Sequence, residues 1–194
     1  MIKANMPLPA EPPATDILLM NAVAVSDPSA QTRLVERLAA RVRRLTQLLC
    51  RPGADADDAA QTALIEILAS ARTFRDATNL EGWADRITAR VVGHMRRRER
   101  LHARLIARWL SPGTLPWGSP GATAPSDDSA CDAILLSLSD ARRIAFVLRH
   151  VVGCSVEEIA ELTGAPPGTV KDRLVAARRE LRRWAVRESK RGWL

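Results

Sequence analysis

The sequence predicts an all-α fold: two small helical domains joined by a flexible Pro/Gly/Ser linker. The second is a helix-turn-helix within a winged-helix-like four-helix domain without strands. Three observations predict this. Apolar residues recur at spacings of three and four through most of the chain, the period of amphipathic helices. Residues 110–131 abandon that period for proline, glycine and serine, as a semi-extended linker does. Residues 153–184 read GCSVEEIAELTGAPPGTVKDRLVAARRELRRW, a short helix, a glycine turn and a longer cationic helix.

Residues 1–29 carry Pro7, Pro9, Pro12, Pro13 and Pro28 among alanines and are expected to form a disordered leader. The first domain spans 30–109. Leu34, Leu38, Val42, Leu45 and Leu49 make an inward stripe, ringed by Arg33, Arg37, Arg41, Arg43 and Arg44. Arg51-Pro52-Gly53 ends that helix. Asp55, Asp57 and Asp58 open the next, where acids suit the positive end of the helix dipole. Ala60, Leu64, Ile67, Leu68 and Ala71 continue its apolar face. A polar connection over 72–81, holding Phe74, Asp76 and Asn79, leads to a long helix. Leu80, Trp83, Ile87, Val91 and Met95 face inward on it. Arg86, Arg90, Arg96, Arg97, Arg98, Arg100, Arg104 and Arg108 cover its other faces, opposed mainly by Asp85 and Glu99. So steep an imbalance favours contact with nucleic-acid phosphates.

The second domain spans 132–188, with a tail at 189–194. Ile134, Leu135 and Leu138 open a short helix. Ser139 is expected to cap the next, with Ile144, Ala145, Leu148 and Val151 inward and Arg142, Arg143 and Arg149 outward. Ser155 and Glu158 have the spacing of a capping box. Val156, Ile159, Ala160 and Leu162 give a short buried face, and Gly164 supplies a left-handed stop. From Pro167 or Gly168 a second helix presents Val170, Leu174, Ala177, Leu181 and Trp184 inward. Thr169, Lys171, Arg173, Arg178, Arg179, Arg182 and Arg183 lie on its other faces. A helix-turn-helix sets the first turns of such a helix against base edges in the major groove.

Composition bounds the function. The chain has 194 residues, 46% hydrophobic and 4% aromatic, with no tyrosine; 29 Lys and Arg against 22 Asp and Glu leave a net charge of +7. Clustered arginine favours a polyanionic partner. Cys50, Cys131 and Cys154 are scattered, as are His94, His102 and His150, so neither metal nor cofactor is expected. Reduced thiols in a cytoplasm are the expected state. There is no Gly-rich phosphate loop, nucleophile elbow or HExxH, so an enzyme is not expected. Ile17–Val25 is far shorter than a membrane span.

With these residues in place, most of the chain, about 31–108 and 132–187, resembles the extracytoplasmic-function sigma factors of bacterial RNA polymerase. DADDAAQTALIEIL looks like that family's acidic-Gln helix, which grips a coiled coil on the polymerase clamp. The resemblance makes Asp55, Asp57, Asp58 and Gln61 a polymerase-docking surface. Phe74, Trp83 and Ile87 with the arginines at 96–100 resemble its reader of the promoter −10 element. That implies DNA contacts for Phe74, Asn79, Arg86, Arg90, His94, Arg96, Arg97, Arg98 and Arg100. Ser155, Glu158, Gly164, Gly168, Thr169, Val170 and Lys171 match its helix-turn-helix, which binds the −35 element. There Thr169, Lys171, Asp172, Arg173 and Arg178 are the implied DNA contacts. The implied partners are core RNA polymerase (clamp coiled coil and flap), promoter DNA and an anti-sigma factor. Arg90 stands where the family usually has asparagine, His94 where aspartate is common, Asp172 where serine is usual and Ser139 where proline is usual. A stand-alone helix-turn-helix regulator that never joins polymerase is the alternative, and a sigma-like protein that docks without initiating is a further one.

Overall fold

The computed structural model describes residues 13–50, 53–75, 79–109 and 129–189. Among them every regular element is helical: α1 Pro13–Ala24, α2 Pro28–Cys50, α3 Ala54–Ala69, a short 3-10 turn Ala71–Thr73, α4 Leu80–Trp109, α5 Ser129–Ser137, α6 Asp140–His150, α7 Val156–Thr163 and α8 Pro167–Ser189.

The expected disordered leader gives way over 13–28, where α1 and the turn after it are ordered; residues 1–12 lie outside the described residues. Leu19, Met20 and Val23 of α1 are buried with Ala30, Leu34 and Leu38 of α2. This spacing of one and three residues makes a narrow apolar face that offsets the entropy of ordering the segment. Asp27 ends the turn, and its carboxylate accepts from the backbone N–H of Ser29 at 2.8 Å and of Ala30 at 3.3 Å. With Pro28 as the first residue of α2, this is an N-cap followed by proline at the first helical position.

Helix α2 is the spine. Leu34, Leu38 and Val42 bury toward α3 and α4 together with Ala60, Ala63, Ile67, Leu80, Ala84 and Ile87. The inward positions of α3 are mostly alanine (Ala56, Ala59, Ala60 and Ala63 are buried), so its backbone lies close to α2 and its acids are left outside. An arginine stripe runs along α2 at 37, 41 and 44. Arg37 donates to Asp16 at 2.6 Å and Glu81 at 2.7 Å, and Arg41 to both carboxylate oxygens of Asp85 at 2.8 and 2.7 Å. Arg44 donates to Asp132 at 2.9–3.2 Å.

Helix α5 brings Asp132, and the C-terminal four helices pack on the first bundle. Leu45, Leu48, Leu49, Ala59, Ala89 and Val92 share one buried cluster with Ala145, Val147, Leu148, Val152, Ile159, Val170 and Leu174. The expected linker, 110–131, lies outside the described residues up to 128, and its last three residues, Ser129, Ala130 and Cys131, instead open α5. Two expectations are corrected by this packing. Arg143, expected to face outward, has no exposed surface and donates from Nε to the Leu48 carbonyl at 2.7 Å. Val151, expected inward, is exposed, because α6 ends at His150 and the chain turns there.

The Arg41–Asp85 pair is asymmetric: the Asp85 side chain is 2% exposed and that of Arg41 45%. Arg41→Ala strands a buried carboxylate and is expected to destabilise by about 3–4 kcal/mol. Asp85→Ala leaves a guanidinium that water reaches, so its cost is expected to be smaller, roughly 1–2 kcal/mol. Urea unfolding of the two variants checks the order.

Candidate nucleic-acid and polymerase interfaces

Four alanines hold α3 to the core, and its opposite face carries the acids. Asp55, Asp57, Asp58 and Gln61 are all exposed within its first two turns. Among the described residues Arg43 lies 3.9 Å from Asp57, both side chains exposed. Four polar side chains thus stand ordered on a rigid helix with little of their capacity used inside the chain.

The α4 side of the molecule carries the second set. Phe74 and Trp83 meet edge to face, ring centroids 5.5 Å apart at 78°. Both are half-buried against the first core. Asn79 accepts from the Gly82 N–H at 3.1 Å, so its side chain caps the start of α4. Arg86, Arg90, His94, Arg97 and Arg98 are exposed. Arg86, Arg90 and Arg97 fall on one face by helical spacing. Arg96 departs from them: it is half-buried and donates to the Leu49 carbonyl at the end of α2. Arg100 lies on α4, and its side chain is outside the described residues.

The helix-turn-helix forms as its local signals require. Ser155 Oγ accepts from the Glu158 N–H at 3.1 Å and Glu158 accepts from the Ser155 N–H at 2.6 Å. Gly164 ends α7 in the left-handed region, φ 63°. Ser139 sits at the cap of α6, but its side chain makes no cap bond. On α8, Val170, Leu174 and Ala177 are buried, Lys171 and Asp172 are exposed, and Thr169 and Arg173 are half-buried. Arg178 lies 3.4 Å from His150 Nε2. Burial and the neighbouring Arg178 and Arg149 hold that imidazole below its ordinary pKa, which suits a ring that accepts from a guanidinium.

Sequence reasoning missed that Thr169 and Arg173 face the N-terminal half. They line a cavity of about 480 Å³ with Leu49, Val92, Arg96 and Glu99. No local signal reports a contact between segments so far apart. Burial pushes the Cys50 thiol up to about 11 and raises Cys154, which keeps these two as thiols. Among the described residues no cluster of His, Cys, Asp or Glu is arranged to hold a metal, and no helix is long and apolar enough to cross a membrane.

Two family descriptions match the chain: "Sigma-70 region 2" over residues 34–102 and "Sigma-70, region 4" over 130–181. The ECF RNA polymerase sigma factor SigE of Mycolicibacterium smegmatis is 33% identical over 161 residues, 80% of this chain and 62% of SigE. Thus less than two thirds of that relative is spanned. SigM of Mycobacterium tuberculosis is 29% identical over 170 residues, 87% of this chain and 84% of SigM. Among solved structures, CnrH in complex with the cytosolic domain of CnrY aligns at a TM-score of 0.48 and 21% identity, over 88% of this chain and 96% of that one. The sigma factor RpoE with the anti-sigma factor NepR, from Bartonella quintana, aligns at 0.48 and 23%, over 78% and 94%.

The Ser155–Glu158 box makes a pH prediction. Hydrogen bonding to the Ser155 backbone, then to its side chain, holds Glu158 below its ordinary value of 4.5, with the charge of Arg86 adding less. A depressed folded-state pKa means the cap's contribution is whole above 4.5 and is lost as pH falls through the lower folded value. Glu158→Gln keeps an acceptor and removes the charge. It is expected to show a shallower loss of urea midpoint than the parent below that pH, and Ser155→Ala to cost about 1 kcal/mol.

Proposed function

The chain belongs to the extracytoplasmic-function sigma factors of the sigma-70 family, and we propose that it acts as a promoter-recognition subunit of RNA polymerase. In this reading the Asp55–Gln61 face docks on the clamp coiled coil of core polymerase. Helix α4 and the connection before it read and open the −10 element, and the first turns of α8 read the −35 element. The observation that carries the reading is the pairing of a region 2 match and a region 4 match in order on one chain, with an exposed acidic face on the first. The relatives' names support polymerase as the partner, and the family resemblance implies an anti-sigma factor as a further one. Work at polymerase places the protein in the cytoplasm.

The chemistry divides three ways. Exposed arginines of α4 and α8 neutralise phosphates and set register without reading sequence. Lys171 and Asp172, exposed in the first turns of α8, reach base edges: lysine donates to guanine, and a carboxylate accepts from a cytosine amine. Phe74 and Trp83 engage each other, so stacking on a flipped base requires Phe74 to leave that contact. Unstacking a base costs a few kcal/mol. Promoter opening by this chain therefore depends strongly on the −10 sequence.

Run-off transcription with purified core polymerase tests the role. Asp58→Ala with Gln61→Ala is expected to weaken core binding at least about tenfold, roughly 1.4 kcal/mol, with duplex DNA binding unchanged. Unchanged core binding, or none in the parent, returns the chain to a stand-alone regulator.

On DNA, Lys171→Ala is expected to weaken binding, and Asp172→Ser to change base preference at one −35 position by about 1–3 kcal/mol. Binding to a library of −35 sequences checks both.

A further inference from the structure

Helix α1 reaches both ends of the connection between α3 and α4. At the first end, Arg72 of the 3-10 turn donates from Nε to the Ala24 carbonyl, the last of α1, at 3.3 Å. Ala71 beside it is buried in one cluster with Leu19, Met20 and Val23 of α1. At the second end, Arg37 of α2 stands between two carboxylates. Its Nη1 donates to Asp16 of α1 at 2.6 Å, and its Nη2 donates to Glu81, in the first turn of α4, at 2.7 Å. The side chains of Asp16, Arg37 and Glu81 are 10%, 22% and 27% exposed, so water competes little for the bridge. A carboxylate as withdrawn as that of Asp16 is costly unless it is paired. Burial alone would raise the Glu81 carboxyl; the hydrogen bond from Arg37, with its charge, outweighs burial and holds the group below its ordinary value. One turn on, Arg41 and Asp85 pair α2 with α4 a second time.

Phe74 closes the connection onto Trp83, and base capture in the proposed function takes Phe74 out of that contact. The ends then need another hold. We propose that α1 is a positioning element for promoter opening: its last carbonyl and the Asp16–Arg37–Glu81 bridge fix the two ends of the −10-reading connection while Phe74 is away from Trp83. Ends already held lose less freedom when a base is captured, so ordering takes less from the binding energy. Arg37 is the positioning residue, because its planar fork serves two carboxylates at once, whereas lysine is one point of charge on a flexible stem. The consequence for opening rests on the proposed function; the hold on the connection does not.

Variants of the full chain separate this role from plain stability. Arg37→Met removes both donors, and Arg37→Lys meets one carboxylate at a time. Asp16→Leu cuts α1 from the bridge and leaves Arg37 with Glu81, whereas Asp16→Asn keeps an oxygen acceptor. Asp85→Ala is the control: it weakens the α2–α4 pairing one turn on and costs stability without touching the bridge. The Gly82 and Trp83 amides, which donate to Asn79, report the second end by hydrogen exchange. Their exchange is expected to quicken in Arg37→Met and Asp16→Leu and to stay near the parent in Asp16→Asn and Asp85→Ala. With core polymerase, permanganate footprinting of the −10 thymines is expected to show opening reduced about tenfold in Arg37→Met and Asp16→Leu, the loss that follows when the competent geometry falls to about a tenth of the chains. Arg37→Lys is expected between these and the parent, and Asp16→Asn and Asp85→Ala to open as the parent does. Core affinity and −35 duplex binding are expected to stay at the parent level throughout. Opening that follows urea stability across all the variants, the control included, overturns the proposal. So does unchanged opening in Arg37→Met and Asp16→Leu, whether or not exchange quickens. If the parent opens no promoter while exchange responds as expected, the initiation role fails and the hold of α1 on the connection stands.

Discussion

The bond from Arg143 Nε to the Leu48 carbonyl joins the two halves at the point where α2 ends, and the arrangement of the molecule depends on it. The last four carbonyls of a helix have no partner inside it, and that end carries partial negative charge. Helix α2 has no basic residue in its own last turn. It takes two from elsewhere: Arg96 of α4 donates to Leu49 and Arg143 of α6 to Leu48. One arginine belongs to each half. A guanidinium without exposed surface needs its donors engaged, so α6 fits beside α2 in few ways. The apolar cluster of Leu45, Leu48, Leu49, Ala145 and Leu148 then closes around the bond.

Arginine therefore has two occupations here. On α2, Arg37, Arg41 and Arg44 hold carboxylates of α1, α4 and α5 in succession. Arg142 pairs with Glu180, and Arg149 donates to the Cys154 carbonyl. These tie helices to one another. The planar fork suits bidentate pairing, as at Asp85, where lysine would supply a single point of charge. The arginines of α4 and α8 that stay exposed are a different population. A net charge of +7 counts both and points to polyanions only through the second. Arg96 belongs by sequence to the exposed arginine run of α4 and by position to the structural group.

The parts of the fold that were legible in the sequence are those with local causes. The helix-turn-helix was readable to the residue, since Ser155 and Glu158 satisfy each other within one turn and Gly164 needs no distant neighbour. The acids of α3 were legible as the first turn of a helix, while the alanine face that turns them outward, Ala56, Ala59, Ala60 and Ala63, emerged only from the packing. Helix α1 was misread although Asp27-Pro28 marks the start of α2 clearly. The prolines before it suggested disorder, and three buried residues decided otherwise once α2 offered a surface. Asn79 and Phe74 were read as DNA contacts from resemblance; their positions also answer a local need, capping α4 and covering Trp83. The docking of the halves was not legible at all. Gly93 is unremarkable in sequence until Leu162, far along the chain, is placed against it, and the outward reading of Arg143 followed from a helix considered alone.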